Sequence, residues 1–267
     1  MISHLHRLSH KRNGQAGFEE CYELLRDLRQ TTKQPIIFIR QLEQRSPAVA
    51  KRLRERVSFD VPTTRSQACA KFFGHPTAQF ICCALALALG TRARLGAATG
   101  ADAIAGVATS IFWSLQEWAI HERLLHSKTP WFGRDIHRWH HELPYYHCSL
   151  DGIGIATAWF SVVALLLVSF GVLTSSLPEC LTSLAVYTSC GLVYEAAHYL
   201  AHTRVPLPRM LNSIRQHHMR HHTLSERHWF AFAIPAVDTI FGTNPSPFAV
   251  SVRERPPHRQ LARGAVE

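Results

Sequence analysis

The sequence predicts an all-α integral membrane protein, a four-helix transmembrane bundle with a histidine-rich helical cap on the cytoplasmic side. Three observations lead there. Four apolar stretches interrupt an otherwise polar chain. Lys and Arg are spread unevenly among the segments between them. Thirteen of the eighteen histidines lie between His121 and His228.

Residues 1–76 come first and carry 14 of the 29 Lys and Arg residues. Phe18, Tyr22, Leu25 and Leu28 recur at helical spacing, which predicts an amphipathic helix. Ser46-Pro47 reads as a cap followed by a first helical residue. It leads into AVAKRLRERV, where Lys51, Arg52, Arg54 and Arg56 cluster. This region suits either a solvated helical extension or a helix lying on anionic lipid headgroups. Its polar start argues against a secretory leader.

The four apolar stretches follow: AQFICCALALALG (78–90), ADAIAGVATSIFWSLQEWAI (101–120), GIGIATAWFSVVALLLVSFGVLT (152–174) and SLPECLTSLAVYTSCGLVYEAAHYL (176–200). A helix needs about 20 apolar residues to cross the hydrocarbon core. The third meets this fully and the second well, while the fourth is more polar. The first is short, so a buried or re-entrant helix is its alternative. With four spans and both termini on one side, every Lys and Arg except Arg92 and Arg94 falls on that side. Positive charge collects in the cytoplasm, so both ends are expected there. The net charge of +10 follows from this topology, and nucleic-acid binding is not expected. The seven cysteines contain no CxxC pair and read as reduced thiols. We expect three parts: a basic extension (1–76), a membrane domain (77–245) and a polar tail (246–267).

The histidines fall into four groups. HERLLH contributes His121 and His126, and HRWHH contributes His137, His140 and His141. HYLAH contributes His198 and His202, and HMRHH contributes His218, His221 and His222. On a helix, positions i and i+4 lie about 40° apart, and i, i+3 and i+4 span about 100°. Each of the last three groups can thus aim its imidazoles at one point. The i+5 spacing of the first fits a helix end, where regular pitch is lost. All four groups fall on the cytoplasmic side, and the order repeats: two spans, a histidine pair, then HxxHH.

Glu117 stands four residues before His121, and Glu195 three before His198. Each could accept a hydrogen bond from the far nitrogen of a ligating ring, or face water at the interface. Ten imidazoles exceed the needs of one tetrahedral zinc and suit two metals with open positions. Imidazole ligation alone leaves iron, zinc, copper and nickel open. His147, His217 and His228 are possible accessory groups. His217 would point about 100° away from His218 on a helix.

At these residues the chain resembles the fatty acid hydroxylase and sterol desaturase superfamily of integral-membrane histidine-box di-iron enzymes. The resemblance rests on His121…His126, His137-x-x-His140-His141, His198…His202 and His218-x-x-His221-His222, with EWAIHERLLH and YEAAHYLAH around them. DTIFGT, Asp238 to Thr243, resembles the family's closing segment and makes Asp238 a supporting residue. The likeness covers roughly residues 78–245. It implies two iron ions held by the ten histidines, with zinc possible on purification. It also implies O2 as co-substrate and oxidation of an unactivated C–H bond of a membrane lipid or acyl chain. Hydroxylation is favoured by analogy, with desaturation as the alternative. Electrons would come from a separate ferredoxin, cytochrome or reductase, since no flavin, nicotinamide or haem motif is present. His75-Pro76 is followed by Thr77, not by the glycines of a haem-binding HPGG. Trp229-Phe230-Ala231-Phe232 stands where the family often has Phe-Gly, so Trp229 and Phe230 are candidates for the substrate channel. A histidine-rich metal transporter or sensor is the other class. It would call for histidine or aspartate in mid-span, and the spans lack mid-membrane histidine.

Overall fold

The computed structural model describes residues 61–142, 144 and 149–250, and every regular element among them is helical. The helices expected of the basic extension before residue 61, the tail after 250 and His147 lie outside the described residues. In chain order the helices are α1 (Arg65–Phe73), α2 (Pro76–Ala93), α3 (Gly100–Ala119), α4 (Phe132–Glu142), α5 (Ile153–Leu173), α6 (Leu177–Ala201), α7 (Arg209–Thr223) and the short α8 (Ala236–Ile240). A π-helical turn, Ile120–Leu125, continues α3.

The starts of the helices are written locally. Thr64 caps α1 through a capping box with Gln67, and Thr99 caps α3 through one with Asp102. His75 is structural: its Nδ1 accepts the Thr77 N–H at 3.3 Å, with Pro76 in the first turn of α2. Satisfying free N–H groups in this way sets where a helix begins.

Helix α6 is the hub and packs against α2, α3, α5 and α7. Where α2, α3 and α6 meet, far from the histidines in sequence, Asp102 binds Arg92 (2.6 Å) and accepts from Thr182 (2.5 Å). In mid-bundle the Tyr187 hydroxyl accepts from Gln116 at 2.6 Å and Trp159 at 2.8 Å, tying α3 and α5 to α6. Gly171 lies where α5 turns into α6. A Cβ there would stand 2.9 Å from the Leu177 Cα and 3.0 Å from the Cys180 Cβ, so the close turn requires glycine.

Among the described residues, α5 is long and apolar enough to cross a bilayer by itself. Helices α1 and α2 pass together but are bent by 72° at their junction. The stretch expected at 78–90 is therefore the core of a longer helix with a sharply angled partner. Helices α3 and α6 have 20 and 25 residues, but polar side chains dilute their average. Those polar groups largely face inward: Asp102, Ser114 and Glu117 on α3 are buried, whereas Ile104, Val107, Ile111 and Phe112 are exposed. On α5, Val162, Leu165, Leu166, Phe170, Val172 and Leu173 are all more than half exposed. Six such side chains in water would cost on the order of 10 kcal/mol relative to burial. An apolar surround removes that cost.

Candidate metal centre

The ten histidines converge into two neighbouring groups. In the first, the donor nitrogens of His121, His126, His137, His141 and His221 lie within 4.8 Å of one another. In the second, those of His140, His202, His218 and His222 do the same. His198 adjoins the second, with its Nε2 3.0 Å from that of His140.

Each HxxHH box is thus divided, contrary to the expectation that it aims at one point. His137 and His141 of α4 serve the first group and His140 the second. His218 and His222 of α7 serve the second and His221 the first. The cause is helical pitch. Positions i and i+4 share a face, while i+3 sits about 60° to the other side of i. The two helices are used in opposite senses, so each group takes two rings from one and one from the other.

The i+5 pair is explained by the π-helical turn. The His126 N–H donates to the His121 carbonyl at 3.2 Å, an i→i+5 bond. In an α-helix the two rings would diverge by about 140°. The wider π turn brings them to one side, with ring centroids 5.2 Å apart. Such turns are rare and recur at functional sites.

The donor chemistry fits a cation. Four rings direct Nδ1 at backbone carbonyls: His121 at Phe230 (2.7 Å), His198 at Ser149 (3.0 Å), His202 at Pro144 (2.6 Å) and His221 at His228 (2.8 Å). A carbonyl only accepts, so each of these Nδ1 atoms carries the proton and each Nε2 offers its lone pair. Those Nε2 atoms sit 2.8–3.1 Å from Nε2 atoms of other rings. Crowded lone pairs repel unless a positive centre lies among them. Burial also keeps the rings neutral. It pushes His121 down to about 4 and His126 to about 2, and it holds His137, His140, His141, His218, His221 and His222 well below the usual imidazole range. Neutral imidazole is the ligating form.

The sequence profile of the fatty acid hydroxylase family matches residues 106–243, a stretch that holds all ten histidines. The chain belongs to the fatty acid hydroxylase family. Among solved structures it is similar to full-length Scs7p, of which only the hydroxylase domain is visible. The TM-score is 0.54 at 18% identity, over 62% of this chain and 65% of that one. At that identity the likeness is one of fold. No curated protein matches the sequence.

In this fatty acid hydroxylase family member a single carboxylate organises the wall beside the histidines. Asp238 is fully buried. One oxygen accepts the Phe230 N–H (3.0 Å) and the Thr243 hydroxyl (2.6 Å). The other accepts the Ala231 N–H (2.9 Å) and His217 Nε2 (2.8 Å). Asp238 thereby fixes the peptide whose carbonyl holds His121. His217 faces Asp238, not the ring cluster. The His228 side chain faces Ser225 (3.0 Å), and only its carbonyl reaches the site.

The two glutamates depart from expectation. Glu117 accepts the Ala233 N–H at 3.2 Å, so it braces the loop after the last box. The far nitrogen of His121 is taken by a carbonyl instead. Glu195 is buried near Asp151, and the far nitrogen of His198 is likewise on a carbonyl. Trp229 and Phe230 are buried as well. The Phe230 ring packs against His121, His126 and His221, while Phe232 packs against His198 and His218. Phe232 was missed in the sequence; its i+2 relation to Phe230 is the signal that could have found it.

Proposed function

We propose that the chain is a membrane-bound di-iron oxygenase that hydroxylates an unactivated C–H bond of a lipid or acyl chain. It would use O2 and electrons from a separate ferredoxin, cytochrome or reductase. The observation that carries this reading is the pair of buried, neutral imidazole groups in a chain of this family. His121, His126, His137, His141 and His221 would hold one ion, and His140, His198, His202, His218 and His222 the other. Bound iron would supply O2 activation, and nitrogen-only ligation with open positions is compatible with it. The chain's own part is to orient the rings and to keep them dry. The carbonyls of Phe230, His228, Ser149 and Pro144 do the first for His121, His221, His198 and His202. Phe230 and Phe232, one against each group, exclude water and present an apolar wall to a hydrocarbon substrate. Asp238, Glu117 and His217 hold that wall in place.

In this reading α2, α3, α5 and α6 span the bilayer, with both termini and the histidine cap on the cytoplasmic side. The catalytic unit is residues 77–245, flanked by the basic extension and the polar tail. The exposed apolar faces of α3 and α5 and the distribution of Lys and Arg support it.

The test joins metal content to product. The full chain is expressed in a bacterial membrane, iron and zinc are counted per polypeptide, and lipid extracts are compared by mass spectrometry with those from His221→Ala. Two metals with a lipid that gains one oxygen atom are expected. A lipid that loses two hydrogens would make the enzyme a desaturase. Full activity with normal iron in His221→Ala would refute the assignment.

A further inference from the structure

After the last histidine box the chain changes character. From Trp229 to Val250 the only charged residue is Asp238, and that side chain is fully buried. The surface of this stretch is uncharged and carries large apolar side chains among Thr239, Asn244 and Ser246: Ile234 is 45% exposed, Ile240 74%, Phe241 45% and Phe248 98%. The helix before it, α7, carries Arg209, Arg215 and Arg220, with Arg227 just beyond.

Its depth can be read from its contacts. Ala233 hydrogen-bonds Glu117, and Phe241 stacks on Trp118 with centroids 4.0 Å apart. The Trp118 Nε1–H donates to the Thr243 hydroxyl at 3.0 Å. Phe232 packs on Tyr194 at 5.0 Å. Glu117, Trp118 and Tyr194 all precede the ligating His121 and His198 by about one turn. Since α3 and α6 both run toward the histidines, one turn earlier means about 6 Å deeper toward the bilayer. The segment therefore packs against the last turn of α3, while Asp238 reaches across to His217 on α7 (2.8 Å). Its exposed side chains continue the apolar face of α3, where Phe112 and Leu115 are also exposed. Tryptophan at such a level is typical of the membrane interface.

We propose that residues 234–248 dip into the cytoplasmic leaflet and contact lipid acyl chains beside the metal site. This rests on the reading of α3, α5 and α6 as membrane spans. An uncharged surface with large exposed apolar side chains suits insertion among lipid chains. In water the same surface would be an aggregation liability.

The experiment places an environment-sensitive fluorophore on single cysteines at Ile240, Phe248, Leu166 and Arg227. The background has the native cysteines replaced, and each variant is reconstituted into phosphatidylcholine–phosphatidylglycerol nanodiscs. Metal content per chain confirms that each variant is folded. Leu166 on α5 reports the bilayer, and Arg227 the aqueous side. The expected result is blue-shifted emission at Ile240 and Phe248, loss of most intensity with acyl-brominated lipid, and little loss with iodide, as at Leu166. Iodide quenching at both positions, with Leu166 still lipid-quenched, would overturn the proposal and leave the spans intact. Resistance to both quenchers would mean that protein, such as a second copy, covers the segment, and would also overturn it. Iodide quenching at Leu166 would remove the spans and the proposal together.

Discussion

Replacing Asp238 by Asn tests whether the wall beside the histidines depends on one carboxylate. Asp238 accepts four hydrogen bonds, two at each oxygen, from Phe230 N–H, Thr243 O–H, Ala231 N–H and His217 Nε2. An amide of the same shape keeps one acceptor oxygen and turns the other into a donor. Whichever way it flips, one backbone N–H, of Phe230 or of Ala231, loses its partner, whereas the Thr243 hydroxyl or the His217 ring beside it can turn to accept from the new amide. A hydrogen bond to a charged group contributes about 1.5–3 kcal/mol, so the loss is at least that large. That is a substantial share of the roughly 5–15 kcal/mol that holds a typical domain together. The Phe230 carbonyl, which fixes His121, would lose its anchor, and support groups of this kind change metal affinity by roughly 10- to 100-fold. Thermal unfolding in detergent and metal content per chain are the assays. A variant that melts with the parent and keeps its full metal complement would refute the reasoning.

Three further predictions follow from the same geometry. His221→Ala and His222→Ala stand side by side but serve different groups, so each should weaken one metal more than the other. Metal stoichiometry at rising chelator concentration checks this, and identical loss curves would contradict the division of the boxes. Asp102→Ala should lower the melting temperature by several degrees, because it leaves the buried Arg92 without its carboxylate. Metal content per folded chain should stay unchanged, and a lost metal would show that this end of the bundle is coupled to the site. Metal-free protein should lose stability in acid. The unfolded rings take up protons near 6.5, whereas burial holds His121 at about 4. Protons therefore favour the unfolded state between those values. Stability should be full above about pH 6.5 and fall steadily toward pH 4. A melting temperature flat across that window would refute it.

Much of the site could be read from spacing. His121, His126, His137, His140, His141, His198, His202, His218, His221 and His222 do come together, because helical pitch and chain order are both carried by sequence. Their partition was not legible. It depends on how α4 and α7 are rotated against each other, and no single helix encodes that. The groups that orient the rings were invisible for another reason: a backbone carbonyl at Phe230, His228, Ser149 or Pro144 looks the same in every residue. Glu117 and Glu195 were sensible candidates by position, yet carbonyls had already satisfied the nitrogens they were meant to serve. Helix α3 hid its outward face behind an average that includes Asp102, Ser114 and Glu117, which point inward.

The interlocked boxes also bear on how the protein is made. Neither group is complete without α7, and α7 is the last of the histidine-bearing helices to leave the ribosome. The first group joins residues a hundred positions apart, His121 and His221. A nascent chain halted after α6 would hold four rings of the first group, but only His140, His198 and His202 of the second. The two groups therefore mature unequally during synthesis, and the arrival of one helix, α7, completes both.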